Sequence, residues 1–155
     1  MHTKCPNKFA TLVAVLLIIT VLTPPTVQAD TLTASPRASI YLDSYNTYIY
    51  NAAWGKIQVY FDVTGVDYMD DIGTLTIQLY ESTDNENWTR VTTYRHESTP
   101  GMLGQNKIYH SGHVDYSGTI GRYYKAYVCI WAGKNGDGDT RYYWTQTQKA
   151  TLLPG

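Results

Sequence analysis

The chain has 155 residues, with 12 basic and 13 acidic side chains, so its net charge is close to zero. It carries no Lys/Arg run, which excludes nucleic acid and anionic lipid as electrostatically recognised partners. Two cysteines are too few for a disulfide scaffold, whereas 15 tyrosines and 4 tryptophans make the chain rich in aromatics.

In chain order, Lys4 and Lys8 come first, then the uncharged apolar run from Ala10 to Leu22. Pro24 and Pro25 break the run, and Val27-Gln28-Ala29 supplies small residues at a cleavage site. This is the three-part layout of a secretory signal peptide over residues 1–29. The run is shorter than the about 20 apolar residues a spanning helix needs, so no membrane association is expected after cleavage. The expected product is secreted, starts near Asp30 and keeps 126 of the 155 residues, enough for one domain. Cys5 leaves with the signal, and Cys129 alone can form no intramolecular disulfide. It is expected to pack as a small apolar side chain, the alternative being a bridge between copies. Leu152-Leu153-Pro154-Gly155 is followed by no apolar tail, which predicts a freely secreted product instead of a wall-anchored one.

Residues 30–36 read as a flexible lead-in, and 37–153 as a single β-domain. Strands are predicted over 38–50, 56–64, 74–81, 88–96, 108–116, 122–132 and 140–152, because aromatic and β-branched residues alternate there with polar ones. In 56–64, Ile57, Val59, Phe61 and Val63 point one way; in 74–81, Leu75, Ile77 and Leu79 do. Residues 65–73 read as a connection with one helical turn around Met69 to Ile72. The polar cluster Ser82 to Asn87, the loop 97–107 with Pro100, Gly101 and Gly104, and the turn Gly133 to Asp139 separate the later strands. About seven strands at this spacing predict an all-β, antiparallel β-sandwich.

Leu79 to Asp84 followed by Trp88-Thr89, and Gly118-Thr119 running into Tyr124-Lys125-Ala126-Tyr127-Val128, resemble the C–C′ hairpin and the E–F corner of immunoglobulin-like domains of the fibronectin type III kind. The resemblance implies an immunoglobulin-like sandwich over about 55–150, with Tyr124 as a corner tyrosine whose hydroxyl satisfies a backbone group a few residues upstream. The chain departs from that pattern in having Phe61 where a tryptophan is usual, and in its long lead strand. The pieces Met69 to Gly73, Tyr80 to Asp84 and Tyr123 to Ala126 also resemble small uncharacterised secreted proteins of Gram-positive bacteria. That second resemblance implies a secreted sandwich and no activity.

The chemistry-bearing residues read mostly as structure. His110 and His113 are three apart on a strand, so their rings diverge and make no metal pair. Asn135-Gly136-Asp137-Gly138-Asp139 holds two carboxylates but lacks the spacing and closing Glu of a calcium loop, and its Asn-Gly is a hairpin signal. Asp67, Asp70 and Asp71 read as solvated turn residues. Asn87-Trp88-Thr89 fits a glycosylation sequon, relevant only in a eukaryotic secretory path. No nucleophile elbow, metalloprotease helix or phosphate loop is present, so neither an enzyme nor a cofactor is expected.

Strand parity supplies the candidate site. With Tyr124, Ala126, Val128 and Ile130 facing the core, Tyr123, Lys125, Tyr127, Cys129 and Trp131 face outward. Gln78 and Tyr80 share that face from the neighbouring strand, and one or two of Tyr142, Tyr143 and Trp144 join them from the last, Trp144 being the one singled out. Tyr80, Tyr127, Trp131 and Trp144 are therefore predicted to form an aromatic platform, suited to stacking on sugar rings or gripping a protein. The reading is a secreted, non-enzymatic binding module for a glycan, a cell-wall polymer or a protein. The alternatives are a self-assembling structural component and, more remotely, a small hydrolase or toxin.

Overall fold

A computed structural model of the chain describes residues 39–154. The signal peptide and lead-in expected from the sequence fall outside the described residues. Those described form seven strands and no helix: β1 (Leu42–Asn51), β2 (Lys56–Ser82), β3 (Thr89–Arg95), β4 (Leu103–Ser117), β5 (Tyr123–Lys134), β6 (Asp137–Trp144) and β7 (Gln148–Lys149). Every pairing is antiparallel, and all seven strands belong to one sheet.

That sheet is built around β2, which is 27 residues long. One of its edges pairs with β4 over Lys56 to Gly73 and then with β3 over Thr76 to Glu81. The other pairs with β1 over Ile57 to Gly65 and then with β5 over Asp71 to Ser82. The sequence predicts two strands here with a connection and a helical turn between them; the structure has one bent strand. The reason is β4, which pairs Met69, Asp71, Ile72 and Gly73 with Lys107, Gln105, Gly104 and Leu103 and holds the intervening chain extended. The irregularity is confined to a register shift between Thr64 and Met69. At Gly73 φ is +143°, and a Cβ there would lie 2.2 Å from the Met102 carbonyl oxygen, so only glycine fits.

A second register shift, between Thr74 and Thr76, alters the alternation. Thr74, Ile77 and Leu79 are buried, while Leu75, predicted to face inward, is only half-buried. Elsewhere the predicted parity holds. Ile57, Val59, Phe61 and Val63 from the first half of β2 share one apolar core with Ile77 and Leu79 from its second half and with Tyr124, Ala126, Val128 and Ile130 of β5. Each such large apolar side chain contributes roughly 1.5–3 kcal/mol on burial.

The β5–β6 turn is Asn135-Gly136, with φ of +57° and +81°, the signature of a type I′ hairpin. The strands run right up to it, so the turn is shorter than the seven residues read from sequence. The last predicted strand is interrupted after Trp144. Thr145 turns into the core, where its N–H donates to the Ala126 carbonyl at 2.9 Å and its hydroxyl accepts the Ala126 N–H at 2.9 Å. The C-terminal segment is then held by the buried Asn51, whose side chain donates to Thr151 Oγ1 at 2.6 Å and accepts the Thr151 N–H at 3.1 Å.

Candidate binding face

The outer face of β2, β5 and β6 follows from their register. Gln78 lies opposite Tyr127 and Tyr80 opposite Lys125, while Tyr127 faces Trp144, Cys129 faces Tyr142 and Trp131 faces Thr140 on β6. Side chains in such cross-strand pairs have Cβ atoms about 4.5–5.5 Å apart, which puts rings from three strands in contact. The Tyr127 and Trp144 ring centroids are 4.8 Å apart, Tyr80 and Trp144 5.1 Å, and Tyr127 and Tyr142 5.5 Å with planes within 14°. Tyr142 is 60% exposed and Trp144 44%, so the cluster is open to solvent along β6.

Three of the four predicted residues, Tyr80, Tyr127 and Trp144, are brought together; Trp131 stands apart. Its indole lies over a cross-strand pair of glycines: a Cβ on Gly133 would meet it at 2.6 Å and one on Gly138 at 2.5 Å. This is the arrangement by which an aromatic covers glycines in a sheet, and it leaves Trp131 half-buried. Sequence reading missed Trp88 as a member of the cluster, whereas it set Lys125 on the outward face and offered Tyr142 among the aromatics of the last strand. Lys125 places its Nζ 4.2 Å from the Trp88 ring centroid and 4.8 Å from that of Trp144, a cation held between two indoles. The signal was available for Tyr142, which alternates with Trp144 along β6. For Trp88 it was not, because that residue precedes β3 and reaches the face only through Lys125.

Polar groups surround the rings. The Tyr80 hydroxyl donates to Gln78 Oε1 at 3.0 Å, and Arg90 reaches the same oxygen at 3.5 Å. Cys129 shares the face by parity yet is buried, with Thr76 and Tyr142 as neighbours; burial pushes its thiol pKa up. That is the packed thiol expected from the sequence.

The other motifs serve the fold. His110 and His113 point to opposite sides, His110 hydrogen-bonded to the Gly101 carbonyl at 2.8 Å and His113 against Tyr60 at 5.0 Å. Asp67 and Asp70 are more than solvated turn residues. Asp67 accepts from Lys134 Nζ at 2.7 Å, Asp70 from the Asn135 N–H at 2.6 Å, and both thereby hold the β5–β6 turn. Asp139 accepts from the Ser39 hydroxyl and from the N–H groups of Ile40 and Tyr41, at 2.5, 2.9 and 3.1 Å. These bonds hold the chain entering β1. A second aromatic row, which sequence reading missed, crosses the other half of the sheet. Tyr48 and Tyr60 stack at 4.9 Å with planes within 4°, and His113 follows.

No protein-family model matches the chain, and no curated protein matches it. Among solved structures it is similar to Spo0M, a sporulation control protein from Bacillus subtilis, at 13% identity and a TM-score of 0.38. That alignment covers 66% of this chain and 47% of the other, so the chain spans about half the length of that neighbour.

Proposed function

We propose that the protein is a secreted, non-enzymatic binding module of the immunoglobulin-like kind, and that its aromatic sheet face takes a neutral polysaccharide, free or within a cell wall. The observation that carries this is the contiguous cluster Tyr80, Tyr127, Tyr142 and Trp144 on a rigid sheet. Aromatic side chains offer apolar faces to the C–H surfaces of sugars at little conformational cost, and their hydroxyls, with Gln78, Arg90 and Lys125, supply hydrogen bonds around the rim. The exposed apolar area is the kind that marks binding surfaces. The bond from the Thr119 N–H to the Tyr124 hydroxyl, at 2.7 Å, supports the immunoglobulin-like part of the reading.

The test is tryptophan fluorescence of residues 30–155 titrated with soluble glycans and cell-wall fragments. A saturable shift is expected, lost in the double variant Tyr127→Ala/Trp144→Ala and kept in Trp131→Ala. No shift with any glycan would move the face to a protein partner, and a shift lost only in Trp131→Ala would move the site along β5.

A further inference from the structure

The sheet has a second outer face, formed by β1, the first half of β2 and β4, and it looks away from the aromatic face. The Tyr94 hydroxyl on β3 donates to the Asp115 carbonyl on β4 at 2.6 Å. Tyr94 pairs with Ile77 of β2 and Asp115 with Gln58 of β2. In a straight strand those two β2 residues would lie roughly 60 Å apart. β2 therefore folds back on itself, its halves share one core, and their outer faces point in opposite directions.

The register sets side chains of the second face in rows across three strands. Tyr48, Tyr60 and His113 form one row, and Asn46, Asp62 and Ser111 form the next. The first row is a wall of rings in contact, with centroids 4.9 and 5.0 Å apart. The second has short side chains and makes a floor. Beyond the floor stands Tyr109, 52% exposed, whose hydroxyl donates to Asp62 Oδ1 at 2.8 Å. Asp62 lines a cleft of about 410 Å³ on the side of the ring wall and another of about 140 Å³ beside Asn46. The first is of the size that small-ligand sites have.

The floor carries a single charge, that of Asp62. The other carboxylate of this face, Asp115, is taken by Lys56 and by the Gln58 amide, each at 2.8 Å, and has His113 3.7 Å away. Asp62 has no basic partner among the described residues, and its carboxylate accepts only the Tyr109 hydroxyl. The side chains of Asn46 and Ser111 on either side of it make no hydrogen bond among the described residues. A half-enclosed carboxylate without a counter-ion attracts a cationic donor, and a charged hydrogen bond there is stronger than a neutral one.

We propose that this trench binds an amino sugar through its free amino group. The ammonium sits on Asp62, hydroxyls beside it meet Asn46 and Ser111, and the ring lies along the wall of Tyr60 and His113. Charge and spacing choose this occupant. Adjacent strands are about 4.8 Å apart, so amide and hydroxyl groups flank the charge within the reach of one sugar ring. A lysine side chain brings its ammonium on an apolar stem and leaves Asn46 and Ser111 unused. A calcium ion needs six or more oxygens, and the floor has one carboxylate. A second copy's aromatic face offers cations that are already engaged, Lys125 between two indoles and Lys149 over Tyr123. The inference does not rest on the polysaccharide reading of the opposite face.

The test titrates residues 30–155 with a glucosamine trimer, its N-acetylated counterpart and trilysine, followed by amide NMR. The expected result is saturable shifts at Asn46, Asp62 and Ser111 with the glucosamine trimer alone, weakened at least about tenfold by Asp62→Asn and also weakened by added salt. Asp62→Asn should leave the melting temperature nearly unchanged. Asn46→Ala, which removes a flanking partner and no charge, should weaken binding several-fold. Tyr127→Ala/Trp144→Ala should leave these shifts intact, which separates this site from the aromatic face. The proposal is overturned by no shift in the trench, by equal shifts there from the acetylated trimer or from trilysine, or by binding that survives Asp62→Asn. Dimerisation seen by light scattering and lost in Asp62→Asn would assign the trench to a second copy and also overturn it.

Discussion

Tyr124 and Thr119, five positions apart, are joined across a corner: the Thr119 N–H donates to the Tyr124 hydroxyl at 2.7 Å. That hydroxyl in turn donates to the Glu81 carboxylate, which also pairs with Arg122. The tyrosine ring is fully buried beside Gly118, where an added Cβ would lie 2.9 Å from it. One hydroxyl thus ties the β4–β5 loop to the end of β2.

This bond makes stability sensitive to base. Burial first, and then the hydrogen bond to Glu81, push the Tyr124 pKa up from 10.0 to about 12. The unfolded chain releases its proton near 10 and the folded chain does not. The contribution is therefore fully present below pH 10 and is lost as pH rises through about 12. Tyr124→Phe should cost about 1–3 kcal/mol at neutral pH, because the Thr119 N–H and Glu81 each lose a partner. It should also flatten the fall in stability above pH 10. Urea unfolding at neutral pH and at about pH 11 checks both parts.

The Trp131 contact predicts a reversal of sign. Gly133→Ala places a methyl 2.6 Å from the indole and should destabilise by about 1–3 kcal/mol, with a red-shifted tryptophan emission. In a Trp131→Ala background the obstruction is gone. The same substitution should then be neutral or stabilise by roughly 0.5–1 kcal/mol, because alanine is the better strand residue. A double-mutant cycle by chemical denaturation measures the coupling, and additive effects would remove the contact from the account.

The β1–β2 turn is strained and can be relieved. Trp54 has φ of +54° and is 81% exposed, so it occupies a left-handed position without packing in return. Followed by Gly55 at +75°, it sits where hairpins favour Asn-Gly. Trp54→Asn should raise stability by up to about 1 kcal/mol. A lower melting temperature in the variant would show that the indole makes contacts that outweigh the strain.

Asp139 ties the entry of β1 to β6, and this tie should fail in acid. The Ser39 hydroxyl first, and then the Tyr41 and Ile40 N–H groups, hold its carboxyl below the ordinary value of 3.8. The tie is intact above pH 3.8 and is lost as pH falls through the lowered folded pKa. Asp139→Ala should produce the same loosening at neutral pH, read as faster amide exchange at Ile40 and Tyr41 with little change in the β5 core.

Strand parity made β5 legible: a strict period of two separated Tyr124, Ala126, Val128 and Ile130 from Tyr127 and Trp131, and the core agrees. The same period misled at Leu75, because a register shift is invisible in a pattern that looks regular. Residues 65–73 read as a break because glycine and acidic residues punctuate them. Their extended state depends on pairing with residues 103–107, some 30–40 positions away in the chain. Of the aromatic face, the sequence placed Tyr80, Tyr127 and Trp144 through expected strand neighbours. It could not show that Trp131 is drawn away over two glycines, since one of them, Gly138, lies on the partner strand.

The single strand β2 carries four of the other six strands on its two edges. Both halves of the sheet share this strand, so unfolding should be one cooperative event. The pairs Lys56–Ser117 and Ser82–Tyr123 span long stretches of chain, and such non-local closure folds slowly. During synthesis, β2 meets β1 along its first half and then β3 along its second, and waits for β4 and β5 to emerge before its remaining edges are paired. Until then its apolar residues are uncovered, so the interval between making β2 and making β5 is when this protein is most exposed to misassociation.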